Sequence, residues 1–97
     1  MTDDVDEIGV RCTPTDDGWL CDVRIRGGGS ETTHRVTVKP AVLDRLAHGS
    51  FDPTALVERS FRFLLEREKK ESILGSFDLP LIGRYFPEYE QTIREGD

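Results

Sequence analysis

No stretch of this 97-residue chain approaches the ~18 consecutive apolar residues that a membrane-crossing helix requires. Histidine is confined to His34 and His48, and cysteine to Cys12 and Cys21. No Cys-x-x-Cys pair occurs, and no histidine sits at ligand spacing from another histidine or a cysteine, so no zinc site is expected. A Gly-x-Ser-x-Gly elbow, a dinucleotide fingerprint and a phosphate loop ending in Gly-Lys-Ser/Thr are all missing. Those gaps leave no cofactor and no catalytic constellation to expect. Positive charge is scarce too: 13 Lys and Arg face 19 Asp and Glu, a formal net charge of −6. Such a balance disfavours a general nucleic-acid binder, which needs clustered cations to neutralise phosphates. The opening "MTDDVDE" is acidic and lacks the basic region of a secretory leader. A cytoplasmic location is therefore expected, with both thiols reduced.

What is present first is alternation. Ile8, Val10 and Cys12 share one parity; Gly9, Arg11 and Thr13 share the other. After "PTDDG", which carries turn chemistry, Trp19, Cys21, Val23 and Ile25 oppose Leu20, Asp22, Arg24 and Arg26. A two-residue turn at Asp16 and Asp17 sets Cys12 against Cys21, Val10 against Val23 and Arg11 against Asp22. Each pair is apolar with apolar or opposite in charge, as cross-strand energetics favour. "GGGSETT" reads as a flexible loop. "HRVTVKP" then reads as a third strand over about Thr33 to Lys39, with Val36 and Val38 on the side away from Arg35, Thr37 and Lys39.

Helical spacing comes next. Pro40 to His48 reads as a short helix, with Pro40 in its first turn and Gly49 as its C-terminal cap. Asp52 caps a longer one beginning at Pro53, and Phe51 and Leu56 have the spacing of a hydrophobic staple. Glu58–Arg62 and Glu66–Lys70 are oriented i,i+4 pairs. "SFDLPLI" echoes "SFDPTAL", which predicts a second cap at Asp78 and a second staple between Phe77 and Ile82. Pro87 breaks the last helical stretch after Phe86, and "PEYEQTI" resumes it. Of the aromatic group "YFPEY", Phe86 is expected inside and Tyr89 at the rim, and residues 95–97 are expected to fray.

The expected fold is one α+β domain over residues 1–97. Residues 1–6 form an acidic tail, 7–39 a three-stranded antiparallel meander, and 40–94 two to four helices covering one face. The expected core is Val10, Trp19, Val23, Ile25, Val36, Val38, Leu46, Leu56, Phe61, Leu64, Leu65, Ile73, Phe77, Ile82 and Phe86. The outward parity gathers Arg11, Arg24, Arg26, Arg35 and Lys39, with Asp22 as the one acid counted among them. That face is a candidate docking surface for an anionic partner. Cys12 and Cys21 are near enough across the hairpin to form a redox pair, although their inward parity suits small buried thiols. His34 and His48 read as structural residues.

"RVTVKPAVLDRLAHGSFDPTALVERSFRFLLERE" resembles a ribbon–helix–helix DNA-binding module. The resemblance implies a dimer in which this strand pairs with its twin. Arg35, Thr37 and Lys39 would then face bases, and Asp52 to Thr54 would lie by the phosphate backbone. The two preceding strands favour the meander instead. The leading expectation is a small non-catalytic interaction or regulatory module with a protein partner, monomeric or homodimeric. A dimeric DNA-binding regulator is the alternative.

Overall fold

The computed structural model describes residues 7–47 and 52–95. The acidic start at 1–6, His48, the cap at Gly49, the Phe51 half of the staple and the chain end at Gly96 and Asp97 lie outside them. Strand β1 (Glu7–Thr15) pairs antiparallel with β2 (Gly18–Gly27), and β2 with β3 (Ser30–Val38). Helices α1 (Pro40–Leu46) and α2 (Pro53–Leu65) come next, then a 3-10 turn (Lys70–Ser72). Strand β4 (Ser76–Asp78) and helices α3 (Leu81–Tyr85) and α4 (Tyr89–Glu95) complete the order. The meander with helices on one face is the α+β fold that the alternation predicts.

The first hairpin has the expected register: Thr15 and Gly18 flank the turn, and Cys12 meets Cys21, Val10 meets Val23 and Arg11 meets Asp22. Gly18 sits at φ 149°, and a Cβ there would collide with the Val38 carbonyl oxygen. In a two-residue hairpin the flanking pair is hydrogen-bonded and the pairs then alternate. Pro14, opposite Trp19, thus turns its missing N–H toward the free edge of β1, where no ladder bond is lost.

The second hairpin differs from expectation. Instead of a flexible loop, Gly28 and Gly29 form a two-residue turn at φ 62° and 84° between Gly27 and Ser30. Two successive positive-φ residues match the right-handed twist of paired strands, and glycine takes them without steric penalty. Both strands consequently extend to the turn, with Arg26 opposite Glu31. Lys70 fastens this tip. Its buried Nζ donates to the Gly27 carbonyl at 2.8 Å and pairs with Glu71 at 3.2 Å.

Inward parity builds the core. Cys21, Val23, Ile25, Val36 and Val38 are buried beneath Val42, Leu43 and Leu46 of α1, Leu56, Val57, Phe61, Phe63 and Leu64 of α2, and Ile82, Tyr89 and Ile93. Full burial of each large apolar side chain contributes about 1.5–3 kcal/mol. Val10, Trp19, Leu65, Phe77 and Phe86 of the expected core are only half-buried against it. Asp52 caps α2 as expected, accepting from the N–H groups of Thr54 (3.0 Å) and Ala55 (3.3 Å). Glu58 and Arg62 pair at 2.9 Å.

Four expectations fail in the helical part. Helix α2 ends at Leu65, so Lys70 leaves the helix line and does not reach Glu66. Asp78 caps nothing: "SFD" is strand β4, parallel to β3, with Phe77 opposite Val36. The N-cap position of α3 is Pro80, without a side-chain bond, and the Phe77–Ile82 staple is replaced by Phe77 packing 6.0 Å from the Phe61 ring. Tyr89 is fully buried, not at the rim. Its hydroxyl lies 2.6 Å from Ser60 Oγ, and its ring meets Phe63 edge-on at 5.2 Å.

Candidate functional site: the outer face of the sheet

Alternation leaves one sheet face uncovered, and the register orders it into cross-strand rows. One row runs Arg11, Asp22, Arg35, Ser76; the next runs Gly9, Arg24, Thr33. Glu7, Arg26 and Glu31 make a third row, and Thr13, Leu20, Thr37 and Asp78 a fourth. The first two rows border an open depression of about 800 Å³ lined by Gly9, Arg11, Asp22, Arg24, Thr33, Arg35, Gly75 and Ser76, among others. A Cβ at Gly9 or Gly75 would meet nothing within 4 Å, so the space above both is empty.

The structure therefore brings together three of the five expected cations, Arg11, Arg24 and Arg35. Arg26 lies one row away, and Lys39 sits past the end of β3 as the N-cap residue of α1. Asp22 is not the only acid on the face. Glu31, assigned to a loop by the glycine-rich sequence, is a strand residue whose carboxylate holds Arg24 (3.2 Å) and Arg26 (3.0 Å). Glu7 and Asp78 share the outward parity. The face as a whole is thus nearly balanced, and its positive excess is concentrated in the depression, with three arginines against Asp22.

Arg35 reaches Asp22 at 3.3 Å, with both side chains more than half exposed. Such a pair contributes little, about 0–1 kcal/mol, and is displaced readily by a better anion. Among the described residues Arg11 forms no ion pair. Guanidinium groups present forked donors that match carboxylate or phosphate oxygens. Thr33 and Ser76 add hydroxyls from the same face. Gly9 carried a sequence signal, since glycine inside a strand often marks close approach. Ser76 carried none, because its segment reads locally as a helix start.

His34 borders the depression by its place in β3, but its side chain is buried. Nδ1 donates to the Leu74 carbonyl at 2.8 Å, which leaves Nε2 to accept from the Thr32 hydroxyl at 2.9 Å. The ring packs 5.5 Å from Phe61. Cys12 and Cys21 lie on the helical side and are joined in a disulfide across Cα atoms 3.9 Å apart, so the expectation of separate thiols is corrected. The directly opposed register puts both sulfur atoms within bonding reach. Among the described residues no three His, Cys, Asp or Glu side chains gather as a metal site, and no helix is long and apolar enough to cross a membrane.

The ribbon–helix–helix arrangement needs the edge of β3 to be free along Arg35–Thr37, and here β4 occupies it. Strand β3 lies between β2 and β4, with Arg35 N–H donating to the Gly75 carbonyl and Leu79 N–H to the Thr37 carbonyl. The carboxylate of Asp52 occupies the helix start where a phosphate would sit. Comparison with family models, curated proteins and solved structures finds no match for this chain.

Proposed function

We propose that the protein is a small non-catalytic docking module whose outer sheet face receives an acidic segment of a partner protein. The observation that carries this reading is the set of three arginines around an open depression in a chain of net charge −6. Arg11 forms no ion pair among the described residues and can offer its guanidinium. Arg24 and Arg35 exchange weak exposed partners for the partner's carboxylates. A short acidic segment suits the site better than a nucleic-acid duplex, because the acidic remainder of the chain repels an extended polyanion.

Fluorescence anisotropy with a labelled Asp/Glu-rich peptide tests the proposal, with a Lys-rich peptide and duplex DNA as comparators. The acidic peptide is expected to bind and to weaken as salt rises. Arg11→Ala and Arg35→Ala should each lower affinity about twofold to fivefold, as for an exposed ion pair of roughly 0.5–1 kcal/mol. Absence of acidic-peptide binding at low salt would refute the reading. Tighter binding to duplex DNA, lost in the same variants, would replace it with the DNA-binding alternative.

A further inference from the structure

A second concave surface lies on the helical side. Along β4 the alternation sends Ser76 and Asp78 outward and Phe77 inward. Phe77 helps to form a groove of about 350 Å³ together with Leu64, Ile73, Leu81, Ile82 and Phe86. Leu74 and Tyr85 stand at the same groove, 47% and 64% exposed, and they are the large apolar side chains left exposed among the described residues. Isolated exposed apolar residues are ordinary, but two of them converging on one apolar groove mark a binding surface. The volume lies at the lower end of small-molecule sites, roughly 300–1,000 Å³, and suits one or two anchoring side chains.

The polar rim identifies the occupant. Among the described residues Glu68 is the one charged residue lining the groove, and Ser72 lines it too. Glu68 is half-buried, and it forms no ion pair among the described residues. Among the described residues no cation lines the groove to balance it. The Tyr85 ring adds an exposed π face, which attracts cations. We propose that this groove docks a basic amphipathic segment of a partner protein. An aromatic side chain enters between Leu74, Phe77 and Tyr85, and a neighbouring Lys or Arg meets Glu68. The site is separate from the arginine depression and selects the opposite charge.

Two capped tripeptides that share an anchor and differ in charge test this: acetyl-Lys-Trp-Lys-amide and acetyl-Glu-Trp-Glu-amide. Each is titrated into the 15N-labelled full chain and followed by amide chemical shifts. The basic peptide is expected to shift Leu64, Leu74 and Tyr85 and to bind about threefold to tenfold more tightly than the acidic one, given one exposed ion pair and a cation–π contact. Glu68→Gln should shrink the difference between the peptides to what the Tyr85 cation–π contact leaves, while keeping the aromatic contribution. Leu74→Ala, at a site 47% exposed, should weaken both. Equal binding of the two peptides at these groove amides, no binding of either there at millimolar concentration, or a charge preference at them that Glu68→Gln leaves undiminished overturns the proposal. Shifts of the same amides on raising protein concentration alone also overturn it, because they identify a second copy of the chain as the occupant.

Discussion

Tyr89 and Ser60 form a buried relay whose direction is fixed by its far end. Ser60 Oγ lies 2.8 Å from the Leu56 carbonyl, which can only accept, so the serine proton points there. The serine oxygen must therefore accept from the Tyr89 hydroxyl, 2.6 Å away. Tyr89→Phe removes one donor and leaves Ser60 bonded to Leu56, a loss of about 0.5–1.5 kcal/mol. Ser60→Ala is worse: it leaves the tyrosine hydroxyl buried without an acceptor, for about 1–3 kcal/mol. The double variant loses both groups together and should be more stable than the sum of the single losses predicts, by on the order of 1 kcal/mol. At this chain length each kcal/mol lowers Tm by about 4–8 °C, so thermal and urea unfolding followed by circular dichroism resolve the cycle. The relay also has a pH signature. Burial raises the Tyr89 phenol above its ordinary value, with the Glu90 carboxylate adding to the effect. Above about pH 10 the unfolded chain releases this proton while the folded chain keeps it. The contribution is complete below that pH and fades as pH rises toward the folded value. The stability gap between wild type and Tyr89→Phe should therefore narrow in alkaline solution. Additive single effects, or a gap that is constant with pH, would refute the relay.

Other outcomes depend on the meander. Reducing the Cys12–Cys21 bond reopens a loop of about ten residues, worth roughly 2–3 kcal/mol by chain entropy and on the order of 10–20 °C in Tm; a melting curve indifferent to dithiothreitol contradicts this. Gly18→Ala drives a Cβ into the Val38 carbonyl at a backbone angle that alanine disfavours, and should destabilise by about 1–3 kcal/mol. Gly9→Ala, whose Cβ meets nothing, is the contrasting variant and should stay within roughly 0.5 kcal/mol of wild type in the same denaturant titration.

Local chemistry makes much of this molecule readable from its residues. Strand parity with charge pairing yields the first hairpin down to its register, and Asp52 before Pro53 marks the start of α2, because both signals act over a few residues. The errors arise where distant parts of the chain decide. "SFDLPLI" has the chemistry of a helix cap, yet Phe77 is opposite Val36, forty-one positions earlier in sequence, and that pairing outweighs the local signal. Tyr89 is amphipathic enough for a rim; the acceptor that allows its burial is Ser60 on another helix. The acids tempering the outer face escape notice for a related reason, since Glu31 joins the strands only once Gly28 and Gly29 close into a tight turn. The arginine parity itself is plain, but the depression depends on Gly75 and Ser76 arriving from beyond two helices.

The three residues Ser76–Asp78 have an influence out of proportion to their length. They arrive late in synthesis, and until they do, the stretch from Arg35 to Thr37 offers unpaired amides and carbonyls beside alternating valines. That is a template onto which another chain's extended segment can add. A product truncated before Gly75, or a proteolytic fragment cut at the same point, would carry this exposed ladder permanently and would be expected to aggregate even where its first two hairpins had closed. Strand β4 thus serves as a guard for the sheet it joins.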